Sequence, residues 1–273
     1  MNRTLKRLVL RGLSPLDAAA RWINGKGQLP PLHLRWDVGP LRAFESDAAE
    51  YRVFLKLFAG MTSRARVLDL GCGCGQMAIE LADWLDDEGR YVGCDISRDA
   101  IRWCERSIAA SDRRLAFHHM DIRNGMYNPR GQTAAKDYTF PPSLGKFDVI
   151  LIKSVFTHML RDDVEHYISR IPALLAQDGA CLCTFFLLNK EQGALELQGR
   201  NIIRFQRGSN GIAFANPFAP EQIVAFPEDE VRAMAKRHGL VIATPVRYGA
   251  WAGRRDALSH QDILVLHKKK RSR

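Results

Sequence analysis

The sequence lacks a hydrophobic run long enough to cross a membrane. Its 273 residues are 46% hydrophobic, yet no stretch approaches the ~18 consecutive apolar residues of a transmembrane helix. The N-terminus is basic, but its longest apolar run, Leu8-Val9-Leu10, is shorter than the apolar core of a signal peptide. We therefore expect a soluble cytoplasmic protein with one main domain.

Cysteine spacings typical of zinc sites are also missing. The six cysteines form two C-x-C pairs and no C-x-x-C pair: Cys72, Cys74, Cys94, Cys104, Cys181 and Cys183. A structural zinc site needs four ligands at short, characteristic spacings, and this chain does not offer them. We expect reduced thiols in the core and no metal.

Basic charge is scarce in the body of the chain. The formal net charge is +10, but residues 1–42 hold eight basic and two acidic residues, and residues 268–273 add five basic ones. Residues 43–267 are left with 27 basic and 28 acidic residues. A groove for nucleic acid is basic across its face, so nucleic-acid binding is disfavoured. Solvated ends, or a weak contact of the ends with an anionic membrane surface, are favoured instead.

The most informative segment is rich in glycine. Residues 67–70 form a short apolar run interrupted by Asp69, glycines follow at every second position, and residues 77–85 show helical spacing. This pattern predicts a strand, a tight turn and a helix that together bind a nucleotide-like ligand. The spacing is G-x-G-x-G, which differs from the G-x-G-x-x-G of dinucleotide-binding folds.

The next two predicted strands each end in an aspartate. Residues 90–95 end in Asp95, 20 residues beyond Gly75, where doubly wound folds place a carboxylate that binds ribose hydroxyls. Ile96 can then pack against an adenine ring. Residues 115–120 are followed by Asp121-Ile122. Polar groups at the ends of neighbouring parallel strands indicate a ligand site at that edge of the sheet.

The segment 65–76 resembles motif I of the class I S-adenosylmethionine (SAM) dependent methyltransferases, and the two aspartates fit the same family. The resemblance implies an α/β fold: a doubly wound, seven-stranded, mostly parallel sheet with an antiparallel last strand at 261–267. It also implies SAM as cofactor, with S-adenosylhomocysteine as product. Asp69 is then expected near the methionine end of SAM and Asp121 beside the adenine amino group. Tyr51, on a predicted helix at 44–57, is expected to cover the cofactor, with core packing as the alternative. The full predicted cofactor set is Asp69, Gly71, Gly73, Gly75, Asp95, Ile96, Asp121, Ile122, Lys153 and Tyr51.

The predicted domain organisation has three parts. Residues 1–43 form a basic helical extension, 44–267 the methyltransferase domain, and 268–273 a basic tail. Two long excursions, 123–146 and 189–226, interrupt the domain. The second follows a fifth strand predicted at 180–188 and is expected to be a lid that selects the acceptor. The amphipathic N-terminal helices are expected to pack or be disordered, with membrane or partner contact as the alternative.

The fourth predicted strand, 147–152, leads into candidate catalytic residues. Residues 153–159 resemble motif IV of small-molecule methyltransferases, and the Asn/Asp-Pro-Pro-Tyr/Phe signature of nucleic-acid base methyltransferases is absent. His158 is the leading general base because an unperturbed imidazole titrates near neutrality, with a structural histidine as the alternative. Lys153, Tyr248 or Asn189 are expected to orient the acceptor. The predicted substrate contacts are Ser154, Asn189, Tyr127, Trp251 and Arg254.

These patterns predict a SAM-dependent methyltransferase that modifies an oxygen or nitrogen of a small-molecule or glycan acceptor. Two alternatives stay open. An RNA methyltransferase could use the basic ends, and its binding would weaken steeply with salt. A non-catalytic SAM-binding scaffold would bind SAM without turnover. The oligomeric state is left open.

Overall fold

The chain begins with a layer of helices. The computed structural model describes residues 3–208 and 211–269. The helices that precede the first strand are α1 (Arg3–Gly12), α2 (Ser14–Ile23), α3 (Leu32–Val38) and α4 (Phe44–Ala59). Pro15 lies in the first turn of α2, where its missing N–H needs no partner. Gly60, in the left-handed conformation, ends α4 and donates its N–H to the carbonyl of Leu55.

The first half of the central sheet alternates strands with helices. Its elements are β1 (Arg66–Leu70), α5 (Gln76–Ala82), β2 (Arg90–Asp95), α6 (Arg98–Cys104) and β3 (Leu115–His119). A short parallel pair, β4 (Ile122–Arg123) and β5 (Thr133–Ala134), belongs to the first excursion. The chain then re-enters the sheet with β6 (Phe147–Ile152), α7 (Arg161–Leu174) and β7 (Leu175–Phe185).

The second excursion has its own secondary structure. It is preceded by β8 (Leu187–Leu188), contains α8 (Lys190–Leu197), β9 (Gln206–Arg207) and β10 (Ala213–Phe214), and finishes within β11 (Val224–Pro227). The four strands form a small sheet in the order β8-β11-β10-β9. The chain finishes the central sheet with α9 (Glu228–Arg237), β12 (Leu240–Ile242) and β13 (Asp262–Lys268).

The central sheet confirms the predicted fold. Its seven strands run in the order β12-β13-β7-β6-β1-β2-β3, and all neighbours are parallel except β13, which is antiparallel to β7 and β12. The chain winds outward from β1 through β2 to β3 and then returns to β6 on the other side of β1. Ligands bind at such a reversal point, at the carboxyl ends of the strands.

Both faces of the central strands are buried, which explains their nearly continuous apolar sequence. Leu68 and Leu70 of β1 pack on one face with residues of α7 and α9. Val67 points to the other face and packs with residues of α4 and α5. The alternation follows the two-residue repeat of a strand. All six cysteines are buried and free, as expected of core thiols.

Three predicted boundaries are wrong. The fifth strand begins at Leu175 rather than 180. Asp178-Gly179, a pair whose glycine predicts the end of the preceding helix, lies inside this strand. Residues 187–188 leave the central sheet and pair with β11. The sequence of residues 240–248 predicts a sixth strand, but the strand covers only Leu240–Ile242. Pro245, which lacks an N–H for sheet pairing, lies in the loop that follows.

Residues 270–273, most of the predicted basic tail, lie outside the described residues. Within the part that is described, no helix is both long and apolar enough to span a bilayer. No group of three or more His, Cys, Asp or Glu side chains among those residues could hold a metal ion.

Candidate active site

A cleft opens at the carboxyl edge of the sheet, where β1 and β6 are adjacent. It encloses about 1360 Å³ of empty space, counting the part that is open to solvent. Ten of the predicted site residues line it: Asp69, Gly71, Gly73, Asp95, Ile96, Ile122, Tyr127, Lys153, Ser154 and His158. The structure therefore brings the predicted cofactor motif and the predicted catalytic histidine to one cleft.

The glycine turn after β1 forms one wall of the cleft. Gly71 has φ +88°, and a Cβ there would lie 2.2 Å from Cγ2 of Val155. Gly73 has φ +54°, and its Cβ would lie 2.9 Å from Cγ2 of Val38. The turn is tied to the next strand because the N–H groups of Gly71 and Cys72 both donate to the carbonyl of Cys94. Only glycine fits this close approach of backbone to neighbouring side chains.

Asp95 is held in place by backbone donors. Its Oδ2 accepts the N–H of Gly73 at 2.8 Å, and its Oδ1 accepts the N–H of Ser97 at 2.7 Å. Burial raises the pKa of this carboxyl, and the two N–H bonds oppose the shift. Each carboxylate oxygen can accept a further hydrogen bond. The group is thus oriented to receive two hydroxyls, as the ribose of SAM offers.

Asp69 is a buried acid that lines the cleft. The hydroxyl of Tyr91 donates a hydrogen bond to its Oδ2 at 2.6 Å. Burial raises the pKa of Asp69 to about 6, and the hydrogen bond from Tyr91 and the charge of Lys153 oppose the rise. This carboxyl lies beside the glycine turn, where a cationic ligand group would compensate its buried charge. The α-ammonium of SAM is such a group.

Lys153 is fixed by Tyr51 and by two residues that the sequence did not single out, Asp47 and Gln76. Its Nζ donates to Oε1 of Gln76 at 2.9 Å, forms an ion pair with Asp47 and lies 4.5 Å from the ring centre of Tyr51. Gln76 in turn donates from Nε2 to the carbonyl of Phe44 at 2.6 Å. The helix α4 therefore positions Lys153 at the cleft wall.

Tyr51 itself does not line the cleft. Its side chain is buried beneath Lys153, and its hydroxyl lies 3.4 Å from Oγ of Ser259. The structure therefore corrects the predicted direct cofactor contact to the alternative, a packing role.

His158 also lines the cleft and lies in a short 3-10 turn after β6. Its Nδ1 is 3.2 Å from the carbonyl oxygen of Glu221. Because a carbonyl can only accept, this contact assigns the ring proton to Nδ1 and makes Nε2 the basic nitrogen of the neutral ring. The ring of Tyr127 packs edge-to-face on the imidazole at 5.4 Å, and Asn124 donates to the carbonyl of His158 at 3.2 Å.

Comparison with known proteins identifies this arrangement. Residues 67–179, which include the glycine turn, Asp95, Lys153 and His158, match a family model described as a methyltransferase domain. Residues 67–179 are thus similar to a methyltransferase domain, and the chain shares its fold with solved methyltransferases. The glycine turn and Asp95 fit SAM as described above, and the Burkholderia structure reported below was solved with S-adenosylhomocysteine bound.

Curated relatives match part of the chain. The human tRNA N(3)-cytidine methyltransferase METTL2B is 25% identical over 127 residues, which is 46% of this chain and 30% of the relative. The 23S rRNA (uracil(1939)-C(5))-methyltransferase RlmD of Acinetobacter baylyi is 25% identical over 175 residues, which is 62% of this chain and 37% of the relative. The chain thus spans about a third of the length of these two proteins.

A solved structure matches over most of its length. The 1,6-didemethyltoxoflavin-N1-methyltransferase of Burkholderia thailandensis, with 1,6-didemethyltoxoflavin and S-adenosylhomocysteine bound, aligns with a TM-score of 0.51 at 16% identity. The alignment covers 99% of this chain and 92% of that one. At this identity the likeness shows a shared fold.

The N-terminal helices complete the cofactor cleft of the methyltransferase domain. Arg7 of α1 and Leu34, Asp37 and Val38 of α3 all line it. Nε of Arg7 lies 3.2 Å from a carboxylate oxygen of Asp37. These residues precede the boundary predicted at 44, and no local sequence pattern marks them, because their place at the cleft depends on packing between distant segments.

Two residues predicted to bind the cofactor lie outside the cleft lining. Gly75, with φ +78°, precedes the first residue of α5 and packs against Ile108 and Cys104. Asp121 follows β3 and accepts the N–H of Thr133 with its backbone carbonyl, while its neighbours Met120 and Ile122 line the cleft. The predicted contact of the Asp121 carboxylate with the adenine amino group therefore stays a prediction.

Four predicted catalytic or substrate residues also lie elsewhere in the methyltransferase domain. Asn189 and Tyr248 both donate to the buried carboxylate of Glu228, at 2.8 Å and 2.9 Å. Arg254 stacks on the ring of Tyr248 and pairs with a glutamate of α8. The predicted roles of Asn189 and Tyr248 toward an acceptor are corrected because a buried carboxylate needs donors, and both side chains serve as its donors. The role of Arg254 is corrected because its guanidinium is engaged by Tyr248 and α8. The bond between Asn189 and Glu228 joins the second excursion to the start of α9.

Trp251 is the clearest correction. Its side chain is fully buried, and its indole N–H donates to Oδ2 of Asp262 at 2.8 Å. Asp262 also accepts the N–H groups of Leu187 and Gly249, both at 2.6 Å. Trp251 therefore packs the loop onto the sheet and cannot meet a substrate in the cleft.

Proposed function

We propose that this chain is a SAM-dependent methyltransferase that transfers a methyl group to an oxygen or nitrogen of a small-molecule or glycan acceptor. The observation that carries the proposal is the position of His158. The glycine turn, Asp95 and His158 line one cleft, and the tautomer set by Glu221 makes Nε2 the basic nitrogen of His158. A cofactor bound against the glycine turn and Asp95 therefore shares the cleft with a candidate general base. The six buried, free thiols support a reducing, cytoplasmic setting.

The chemistry required of the protein is modest. When bound, SAM supplies an electrophilic methyl group on a sulfonium. The transfer is an in-line displacement, so holding the acceptor atom ~3 Å from the methyl carbon in a dry site accounts for much of the rate. His158 takes the acceptor proton on Nε2. The imidazole is fixed by its edge-to-face contact with Tyr127 and by its hydrogen bond to the carbonyl of Glu221. Asn124 holds the backbone of His158 by donating to its carbonyl.

The charge of the cleft favours a small acceptor over RNA. A groove that follows a phosphate backbone is lined mainly by Lys and Arg. Five acidic residues line this cleft, namely Asp37, Asp69, Asp95, Asp163 and Glu221. Only three basic residues line it, namely Arg7, Arg123 and Lys153. The small-molecule acceptor of the Burkholderia enzyme is in keeping with this proposal, whereas the two RNA-modifying relatives match only in part.

The test is a screen of small-molecule and glycan acceptors with radiolabelled SAM, followed by substitution of His158. We expect His158→Ala to lower turnover by about 10²- to 10⁴-fold, the usual contribution of a general base. The dissociation constant of SAM should stay unchanged. The control is His118→Ala, since His118 is exposed on β3 and outside the cleft. Equal turnover in wild type and His158→Ala would refute the assigned role.

The same screen separates the alternatives. Cellular RNA is included as an acceptor, and its binding is measured at two salt concentrations. Methylated RNA together with a steep loss of affinity at high salt would replace the proposal with an RNA methyltransferase. SAM binding without transfer to any acceptor class would favour a non-catalytic scaffold.

A further inference from the structure

The first two helices turn their apolar side toward solvent. Seven of the fifteen large apolar side chains that are exposed in the described residues lie on or between α1 and α2: Leu5, Leu8, Val9, Leu13, Leu16, Trp22 and Ile23. Trp22 is 80% exposed and Leu16 is 71% exposed. No residue of α2 is buried. A helix that only caps a domain faces the core with its apolar side, so this orientation needs another explanation.

The polar side of the same helices faces the body of the protein. Asp17 accepts hydrogen bonds from the backbone of Leu32 and from Nε of Arg21, and pairs with Arg35 of α3. Arg21 also donates to the carbonyl of Leu29 at 2.5 Å. Arg7 pairs with Asp37. These contacts attach the polar side of α1 and α2 to α3, so the apolar side of the two helices remains exposed to solvent.

Charge identifies what covers this face. Arg7 and Arg11 of α1 pair with Asp37 and Asp99, yet residues 1–42 hold eight basic and only two acidic residues, so this part of the chain keeps an excess of positive charge. A second copy docking the same face would bring like charges together, whereas an anionic lipid surface attracts them. An exposed tryptophan at the end of an apolar helix face is typical of the membrane–water interface. We propose that the outward face of α1 and α2 docks on an anionic lipid surface.

The docked face adjoins an opening of the cleft. Leu8 and Arg11 of α1 line a wide surface opening together with Phe218, which is 99% exposed. Arg7, Tyr127 and Glu221 line both this opening and the cofactor cleft. Docking therefore brings the opening to the lipid headgroups. If the proposed methyl transfer holds, amphiphilic acceptors at the surface can enter there, and this consequence alone rests on the proposed function.

Vesicle flotation of the full chain tests the docking without SAM or acceptor, so its outcome is independent of methyl transfer. We expect binding to vesicles made of equal parts phosphatidylcholine and phosphatidylglycerol, weakening as salt is raised, and little binding to pure phosphatidylcholine. The double variant Leu16→Ser/Trp22→Ser should lower the partition coefficient at least about tenfold, from the apolar area it removes.

The matched control is Leu197→Ser/Ile202→Ser, which removes two exposed apolar side chains in the second excursion. It should bind vesicles like wild type, and both variants should bind SAM like wild type, which shows that they fold. Equal vesicle binding by the two variants, or equal binding of wild type to both lipid mixtures, would overturn the proposal. So would absence of vesicle binding together with a dimer in sedimentation that Leu16→Ser/Trp22→Ser dissociates, because the occupant would then be a second copy.

Discussion

Gly71→Ala is the substitution that tests the wall of the cleft most directly. The added Cβ would lie 2.2 Å from Cγ2 of Val155, a separation that forces one of the two groups to move. The backbone at Gly71 also has φ +88°, which disfavours any side chain. Two penalties therefore act together, one from the local conformation and one from the clash, and a matched control can separate them.

Gly60 supplies that control. It ends α4 with φ +66°, and a Cβ there would have no neighbour within 4 Å. Gly60→Ala should thus lose only the conformational term, about 1–2 kcal/mol of unfolding free energy. Gly71→Ala should lose that amount and about 1–3 kcal/mol more for overpacking against Val155. Its affinity for SAM should fall as well, because Gly71 and Val155 both line the cleft.

A double-mutant cycle isolates the clash. Val155→Ala removes the methyl group that the new Cβ meets, so Gly71→Ala/Val155→Ala should be more stable than the sum of the single effects predicts, by about 1–3 kcal/mol. Urea denaturation followed by circular dichroism gives the unfolding free energies, and calorimetric titration gives the SAM affinities. If Gly71→Ala costs no more stability than Gly60→Ala, or if the cycle shows no coupling, the contact between the turn and Val155 is refuted.

Three further predictions concern acids at strand ends. Asp95→Asn should weaken SAM binding by about 10- to 100-fold in titration, because charge-assisted hydrogen bonds are lost. Asp121→Asn should change the affinity for SAM less than about threefold. Comparable losses in the two variants would mean that Asp121 reaches the cofactor. Burial raises the pKa of Asp262 to about 6, so the folded protein binds more protons than the unfolded chain between about pH 4 and pH 6. The stability that comes from protonated Asp262 is therefore complete below about pH 4 and is lost as pH rises through 6. Asp262→Asn should reduce the fall in unfolding free energy over this range by at most about 3 kcal/mol. Identical pH profiles of stability for wild type and variant would contradict the raised pKa of Asp262. Trp251→Phe should lower the unfolding free energy by about 1–3 kcal/mol, because Asp262 loses the indole N–H donor. Turnover should be retained. A loss of turnover without a loss of stability would restore Trp251 as a substrate contact.

Local sequence patterns predicted the parts of the site that local geometry creates. The turn after β1 needs glycine at Gly71 and Gly73 because the backbone there is left-handed and closely packed, and that need is visible in twelve residues of sequence. Asp95 follows from the same logic, since its position at the end of β2 fixes its distance from the turn. The sheet order follows from the repeated strand–helix pattern.

The partners of these residues could not be predicted, because they come from distant segments. Asp47 reaches Lys153 across 106 positions of sequence, and Glu221 reaches His158 across 63. Composition also misled at Trp251. Its loop is rich in polar and aromatic side chains suited to ligands, and burial against Asp262, which the composition does not reveal, decides its role.

The N-terminal helices show how much the direction of an amphipathic helix matters. Hydrophobic spacing in the sequence establishes that α1 has an apolar face, but not which way that face points. Here the ion pairs of Asp17 with Arg21 and Arg35 hold the polar side against the body. Arg7 of α1, which lines the cleft, pairs with Asp37 of the same helix α3 that carries Arg35. Because α3 contacts both α1 and α2, the direction of the exposed apolar face depends on a helix that also lines the cleft.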